Sequence, residues 1–267
     1  MNMQDIFIED TGNGTPLVLV HGFLGSSDMW SPQIKFFKDN FRVIAPALPG
    51  FGKSNKLNSC DSINCMAKAI LASLELKKID NFNLLGHSMG GMIVQEMAKL
   101  AGEKILKLIC YGTGPIGNIP GRFETIDESR KKLKINGLKK TANRIAKTWF
   151  IEGDKAKYFY LCKEAGKQTS IEAADNGLVA MKNWNGVDNL KNIKNKTLII
   201  WGDQDKAYNY NQVKTLKDNI QYSDLVIIDG CSHNVHLEKP NEFNEVVSDF
   251  FKVLWLVLAE NFNQIIK

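Results

Sequence analysis

Ser88, Asp203, Asp205 and His233 each stand just beyond a short apolar run, and together they hold the parts of a nucleophilic hydrolysis. A serine hydroxyl is a weak nucleophile near neutral pH and needs an imidazole to take its proton. The imidazole needs a carboxylate to fix its tautomer and stabilise its charge. The three residue types follow "FNLLGH", "LIIWG" and "VIIDG" in the chain order Ser, Asp, His. In an open parallel sheet ligands bind beyond the carboxyl ends of the strands, where all these residues fall.

The serine carries the sharpest local signal. In "FNLLGHSMGGMIVQEMAKL" (82–100), Phe82, Leu84 and Leu85 read as the end of a buried strand. From Gly90 onward Ile93, Met97 and Leu100 recur at helical spacing. Ser88 therefore lies on a strand-to-helix turn, between Gly86 and Gly90, whose missing side chains let the bend close. A G-x-S-x-G arises by chance in roughly one such chain in ten, so its weight comes from this context and from the base and acid further on.

The elements that must position these groups are legible from periodicity. "PLVLVHG" (16–22), "RVIAPAL" (42–48), "NFNLLGH" (81–87) and "ILKLICYG" (105–112) read as buried strands, with helical patterns over 61–76 and 91–101. The alternation resumes with "KTLIIWG" (196–202) and "DLVIIDG" (224–230), and a last helix starts near Pro240. This pattern predicts the α/β class, a doubly wound and mostly parallel sheet with helices on both faces. Over 115–194 the strand pattern gives way to helical periodicity interrupted at Gly137, Gly153, Gly166 and Gly177. The expectation is one core, residues 1–114 and 195–267, with 115–194 inserted as a helical cap over Ser88. Trp149, Phe150, Phe159 and Trp184 are its candidate pocket walls.

Composition narrows the classes. The chain has 267 residues, 44% hydrophobic, with a formal net charge of +5 spread along its length, which gives no argument for nucleic acid. The opening "MNMQDIFIED" is acidic without an apolar centre and does not read as a secretory signal. Cys60, Cys65, Cys110, Cys162 and Cys231 are an odd, scattered set without zinc-ligand spacing, and read as reduced thiols of a cytoplasmic protein. The run from Val253 to Ala259 is too short to span a bilayer. Val253 to Leu258 are apolar on every face of a helix, so something must cover them: the domain's own edge, next a second subunit in a homodimer, and last a membrane surface, which the short run and the polar tail after Ala259 disfavour.

The chain resembles the α/β-hydrolase superfamily from about Ile6 to Phe251, through "HGFLG" (21–25), "LPGFGKS" (48–54), "GHSMGG" (86–91), "WGDQD" (201–205) and "HNVHLEKP" (233–240). The resemblance implies Ser88 as nucleophile and His233 as general base and acid. It selects Asp205, three residues after the glycine, over Asp203 as the orienting carboxylate. It also implies an oxyanion hole made by the backbone amides of Phe23 and Met89. His236 is the competing histidine and takes a lesser role; His21 is expected to bond its own loop. Two positions depart from the family pattern: Asn209 stands where a proline usually follows the acid, and Ala47 where an aspartate usually precedes "LPGFG".

A serine at this turn excludes the family's dehalogenases and epoxide hydrolases, which need a carboxylate there. The resemblance then implies a serine esterase or lactonase without cofactor or metal, similar to 3-oxoadipate enol-lactonases and small carboxylesterases. Alternatives are a pimeloyl-carrier-protein methyl esterase, a carbon–carbon bond hydrolase and a non-catalytic receptor of the same fold. The carbon–carbon reading stands lower because Leu237 occupies a position usually held by tryptophan. The inserted segment carries Arg122, Arg130, Lys131, Lys132, Lys134, Lys139, Lys140, Arg144 and Lys147 against Glu124, Asp127 and Glu128. Such an excess would steer a small acidic substrate or an acidic carrier protein.

Overall fold

The computed structural model describes residues 5–265, with side-chain surroundings given through residue 252. Seven strands form one sheet in the order β1-β3-β2-β4-β5-β6-β7. They are β1 (Ile8–Thr11), β2 (Pro16–Val20), β3 (Arg42–Pro46), β4 (Phe82–His87), β5 (Ile105–Tyr111), β6 (Lys196–Gly202) and β7 (Ser223–Ile228). β1 runs antiparallel to β3; every other pairing is parallel. The parallel strands are apolar in sequence because helices cover both faces.

Period-two alternation divides the core cleanly. Val18, Val20, Ile44, Leu84, Leu108 and Ile199 face one layer, shared with helices α2 (Ile63–Leu76) and α3 (Met89–Ala101). Leu17, Leu19, Val43, Leu85, Ile109 and Ile200 face the other, where α1 (Ser31–Phe37) and α9 (Pro240–Ile265) contribute Phe37, Phe243 and Val247. Between β5 and β6 lie α4 (Ile126–Lys147), α5 (Phe159–Lys167) and α6 (Ile171–Asn183); α7 (Tyr210–Asn219) and the short α8 (Val235–Glu238) complete the fold.

Two elements carry no periodic signal in the sequence. β1 is a half-exposed edge strand whose sequence, IEDT, has no apolar alternation. α1 is a short helix with proline in its first turn. The glycines of the inserted segment also divide into two kinds. Gly137 (φ 73°) kinks α4 and Gly153 (φ 58°) sits in a turn. Gly166 and Gly177 instead lie inside helices, because a Cβ there would come within 2.9 Å of Ala142 and 3.1 Å of the Phe23 ring.

The cysteines require a correction. Cys60 and Cys65 form a disulfide, while Cys110, Cys162 and Cys231 are free and buried. Cys60 ends the loop before α2 and Cys65 lies in that helix's first turn, which sets their Cα atoms 5.7 Å apart, within bridging range. The five thiols are therefore not all reduced. No described helix is long and apolar enough to cross a membrane. The expected dimer contact through Val253 to Leu258 concerns side chains outside the described residues.

Candidate active site

Ser88 joins β4 to α3 at φ 59° and ψ −121°, a left-handed conformation that costs a non-glycine residue about 1–3 kcal/mol. The surroundings hold it there. A Cβ on Gly86 would lie 2.2 Å from the Gly90 carbonyl oxygen, and one on Gly90 would lie 2.3 Å from the Val20 carbonyl oxygen. The Ser88 amide donates to the Tyr111 carbonyl at 2.9 Å, and the Thr113 hydroxyl donates to the Ser88 carbonyl at 2.9 Å. The turn is pinned at both its amide and its carbonyl.

His233 follows β7, and its Nδ1 lies 2.8 Å from Asp205 Oδ2 with both side chains buried. A carboxylate only accepts, so Nδ1 carries the proton and Nε2 is left as the basic nitrogen. The other Asp205 oxygen accepts from the amides of Ala207 at 2.7 Å and Tyr208 at 3.1 Å. Asp203 does a different job: its carboxylate accepts from the Cys231 amide at 3.3 Å and from Gln204 at 2.9 Å, tying the β6 loop to the β7 loop. Asn209, in the place of the expected proline, accepts from the Gln212 amide and caps α7.

Two further groups fix the His233 backbone. The Tyr111 hydroxyl donates to its carbonyl at 3.0 Å, and His87 Nε2 faces the same oxygen at 3.1 Å. The His87 and His233 rings are 4.5 Å apart, which brings His233 against the residue next to Ser88. Tyr208 stacks on His233 at 5.7 Å and 17°, and its hydroxyl approaches the hydroxyls of Ser88 and Thr113. Burial pushes the Tyr208 phenol up to about 12, so it stays a neutral donor. Tyr111, His87 and Tyr208 are not legible as site residues from the sequence, although His87 directly precedes the serine.

All four histidines of the chain are buried around this centre. His21 Nδ1 donates to the Gly22 carbonyl at 2.8 Å, while Nε2 accepts from the Leu48 amide at 3.1 Å. His236 meets the Tyr111 hydroxyl at 3.0 Å through Nδ1. Desolvation lowers His21 from 6.5 to about 4 and His236 from 6.5 to about 3. It also holds His87 well below its usual range, helped by His233 and His236. An imidazole whose folded pKa is depressed takes up its proton first in the unfolded chain, so acid favours unfolding. Stability is then full above about pH 6.5 and falls as pH drops toward the folded values. At about pH 5 His21 and His236 should each cost about 2 kcal/mol. A fall of roughly 10 °C in Tm between pH 7.5 and 5 is the expected result in a thermal melt. An unchanged Tm would contradict neutral, buried imidazoles.

The loop after β2 lies directly on the serine. A Cβ on Gly22, the residue before Phe23, would sit 2.9 Å from Ser88 Cβ. Met89 is the first residue of α3, so its amide has no intrahelical acceptor and adds to the positive end of the helix dipole. The inserted segment reaches the same region. Trp149 lies 6.2 Å from the His233 ring and its carbonyl accepts from the Asn234 amide, while Gly177 packs on Phe23. Phe150 and Phe159 pack on each other within the core instead. The basic excess of the segment is partly neutralised, by Arg130–Asp175, Lys132–Glu124, Arg144–Glu124 and Lys147–Asp154 pairs.

Residues 15–240 match the family described as alpha/beta hydrolase fold. The chain belongs to this hydrolase family. It is 27% identical over 258 residues to the AB hydrolase superfamily protein YisY of Bacillus subtilis (strain 168), covering 92% of this chain and 94% of that protein. It is 26% identical to the pimeloyl-[acyl-carrier protein] methyl ester esterase of Legionella pneumophila (strain Corby), covering 93% of this hydrolase and all of the relative. Among solved structures, the esterase EaEST from Exiguobacterium antarcticum superposes with a TM-score of 0.86 at 24% identity, covering 92% and 95% of the two chains. That last likeness bears on the fold alone.

Proposed function

We propose that this hydrolase cleaves a carboxylic ester or lactone of a small substrate through an acyl-enzyme, with Ser88 as nucleophile, His233 as base and acid, and Asp205 as the orienting carboxylate. The observation that carries the reading is the buried His233–Asp205 pair beside a serine held on a strained turn. As Ser88 Oγ attacks the carbonyl carbon, its proton passes to His233 Nε2 and the carbonyl electron pair moves onto oxygen. The amides of Phe23 and Met89 stabilise that oxyanion. Collapse of the intermediate breaks the carbon–oxygen bond, and the leaving oxygen takes the proton from His233. Water then repeats the sequence: it gives a proton to His233, adds to the acyl carbon, and expels Ser88, which recovers the proton. The segment carrying α4–α6 acts as the cap over this chemistry, with Trp149 as a wall.

A fluorophosphonate should label Ser88, and p-nitrophenyl acetate should be turned over catalytically. Labelling with negligible turnover would make the protein a receptor of this fold. Absence of labelling would overturn the serine mechanism.

A further inference from the structure

Arg122 lies between β5 and α4, half-buried, at the wall of a cavity of about 280 Å³. Ile119, Phe123, Lys206 and Ala207 are also in that wall, together with Asp205. Its guanidinium stacks over Phe123 at 5.4 Å, and among the described residues it makes no ion pair and no side-chain hydrogen bond. Its five N–H donors therefore face the cavity with no side-chain acceptor among the described residues, free to take up a ligand's oxygens. Burial pushes its pKa down.

The charged groups that face Arg122 do not satisfy it. Tyr208, Glu124 and Asp205 are its electrostatic neighbours. Glu124 is committed to Lys132, Arg144 and the Ser129 hydroxyl. Asp205 is committed to His233 and to the amides of Ala207 and Tyr208. Tyr208 is a neutral phenol whose hydroxyl approaches Ser88. The nearest carboxylates are thus taken, and the free guanidinium shares its cavity wall with Asp205, the proposed orienting carboxylate.

We propose that Arg122 binds a carboxylate on the substrate, so that the enzyme prefers esters carrying a second, anionic group a few carbons from the scissile bond. A planar carboxylate accepts two parallel N–H bonds from a guanidinium, which adds orientation as well as affinity. Arg122 is a specificity-determining residue, on the same cavity wall as Asp205 and Ala207. The proposal rests on the ester-hydrolase reading of Ser88, but it is tested by a ratio rather than by activity itself.

The experiment compares monomethyl with dimethyl esters of the straight-chain diacids from glutarate to suberate, by methanol release, in the full-length protein. The parent should favour at least one monoester over its diester. In Arg122→Gln the ratio of the two kcat/KM values should fall by about 10- to 100-fold, chiefly through KM of the monoester. Arg122→Lys should recover part of the loss, and Lys131→Gln, on the exposed face of α4, should leave the ratio unchanged. An unchanged ratio in Arg122→Gln, or an equal fall in Lys131→Gln, would overturn the proposal and point to a diffuse field. Calorimetric binding of free adipate, weakened in Arg122→Gln, supports the subsite independently of turnover; equal binding to both proteins counts against it. If the parent hydrolyses neither these esters nor p-nitrophenyl acetate, the ester-hydrolase reading fails, whatever the calorimetry shows.

Discussion

Ser88→Ala should abolish ester turnover, lowering kcat by about 10⁴-fold or more, while the protein stays folded. Three properties of the site set this size. The hydroxyl is the only part of the residue removed, and the amide and carbonyl that anchor the turn keep their partners, Tyr111 and Thr113. Alanine meets the same strain as serine at φ 59°, so the fold has no new cost to bear. And the proposed nucleophile would act as a unit with His233, so His233→Ala should lose nearly as much, and the double variant little more than either. His236→Ala should lose much less turnover, because His236 serves the Tyr111 hydroxyl. Fluorophosphonate labelling should disappear in Ser88→Ala, with an unchanged circular dichroism spectrum and a Tm near the parent's. Activity within a few-fold of the parent would end the serine mechanism.

Much of this arrangement is legible in the amino-acid sequence, for a physical reason. Strands buried on both faces are near-continuous apolar runs, so β2 to β6 stand out; of the two half-exposed edge strands, β7 still carries an apolar run and β1 does not. The serine turn is legible because its glycines are required by close approach, which leaves only a few residue types at Gly86 and Gly90. Tyr208 and Arg122 are not legible as site residues. An aromatic shortly after an aspartate looks like any core residue. Whether one arginine among nine basic residues remains unpaired depends on Glu124 choosing Lys132 and Arg144, a tertiary outcome. The Cys60–Cys65 bond is hidden likewise, because the bend that brings the two together lies in the loop leading into α2.

Asp205→Asn should cost about 10⁴-fold in kcat/KM, and Asp203→Asn no more than about 3-fold. The asymmetry follows from which atoms surround each carboxylate. The Ala207 and Tyr208 amides point at one Asp205 oxygen from 2.7 and 3.1 Å. In the asparagine variant only the carbonyl oxygen can accept those two bonds, so the NH₂ group must face His233. That NH₂ needs an acceptor, and Nδ1 provides one only by giving up its proton. The imidazole then carries its hydrogen on Nε2, the nitrogen required to take the proton of Ser88. The base is present but in the wrong tautomer. Asp203 sits in no such fork: its Oδ1 accepts from the Cys231 amide, a bond an amide oxygen keeps, and its Oδ2 accepts only from the exposed Gln204 side chain, a bond whose loss costs little and does not touch His233. Steady-state kinetics on one activated ester, with Tm measured alongside, would separate tautomer loss from unfolding. Equal losses in the two variants, or a greater loss in Asp203→Asn, would remove Asp205 from the mechanism.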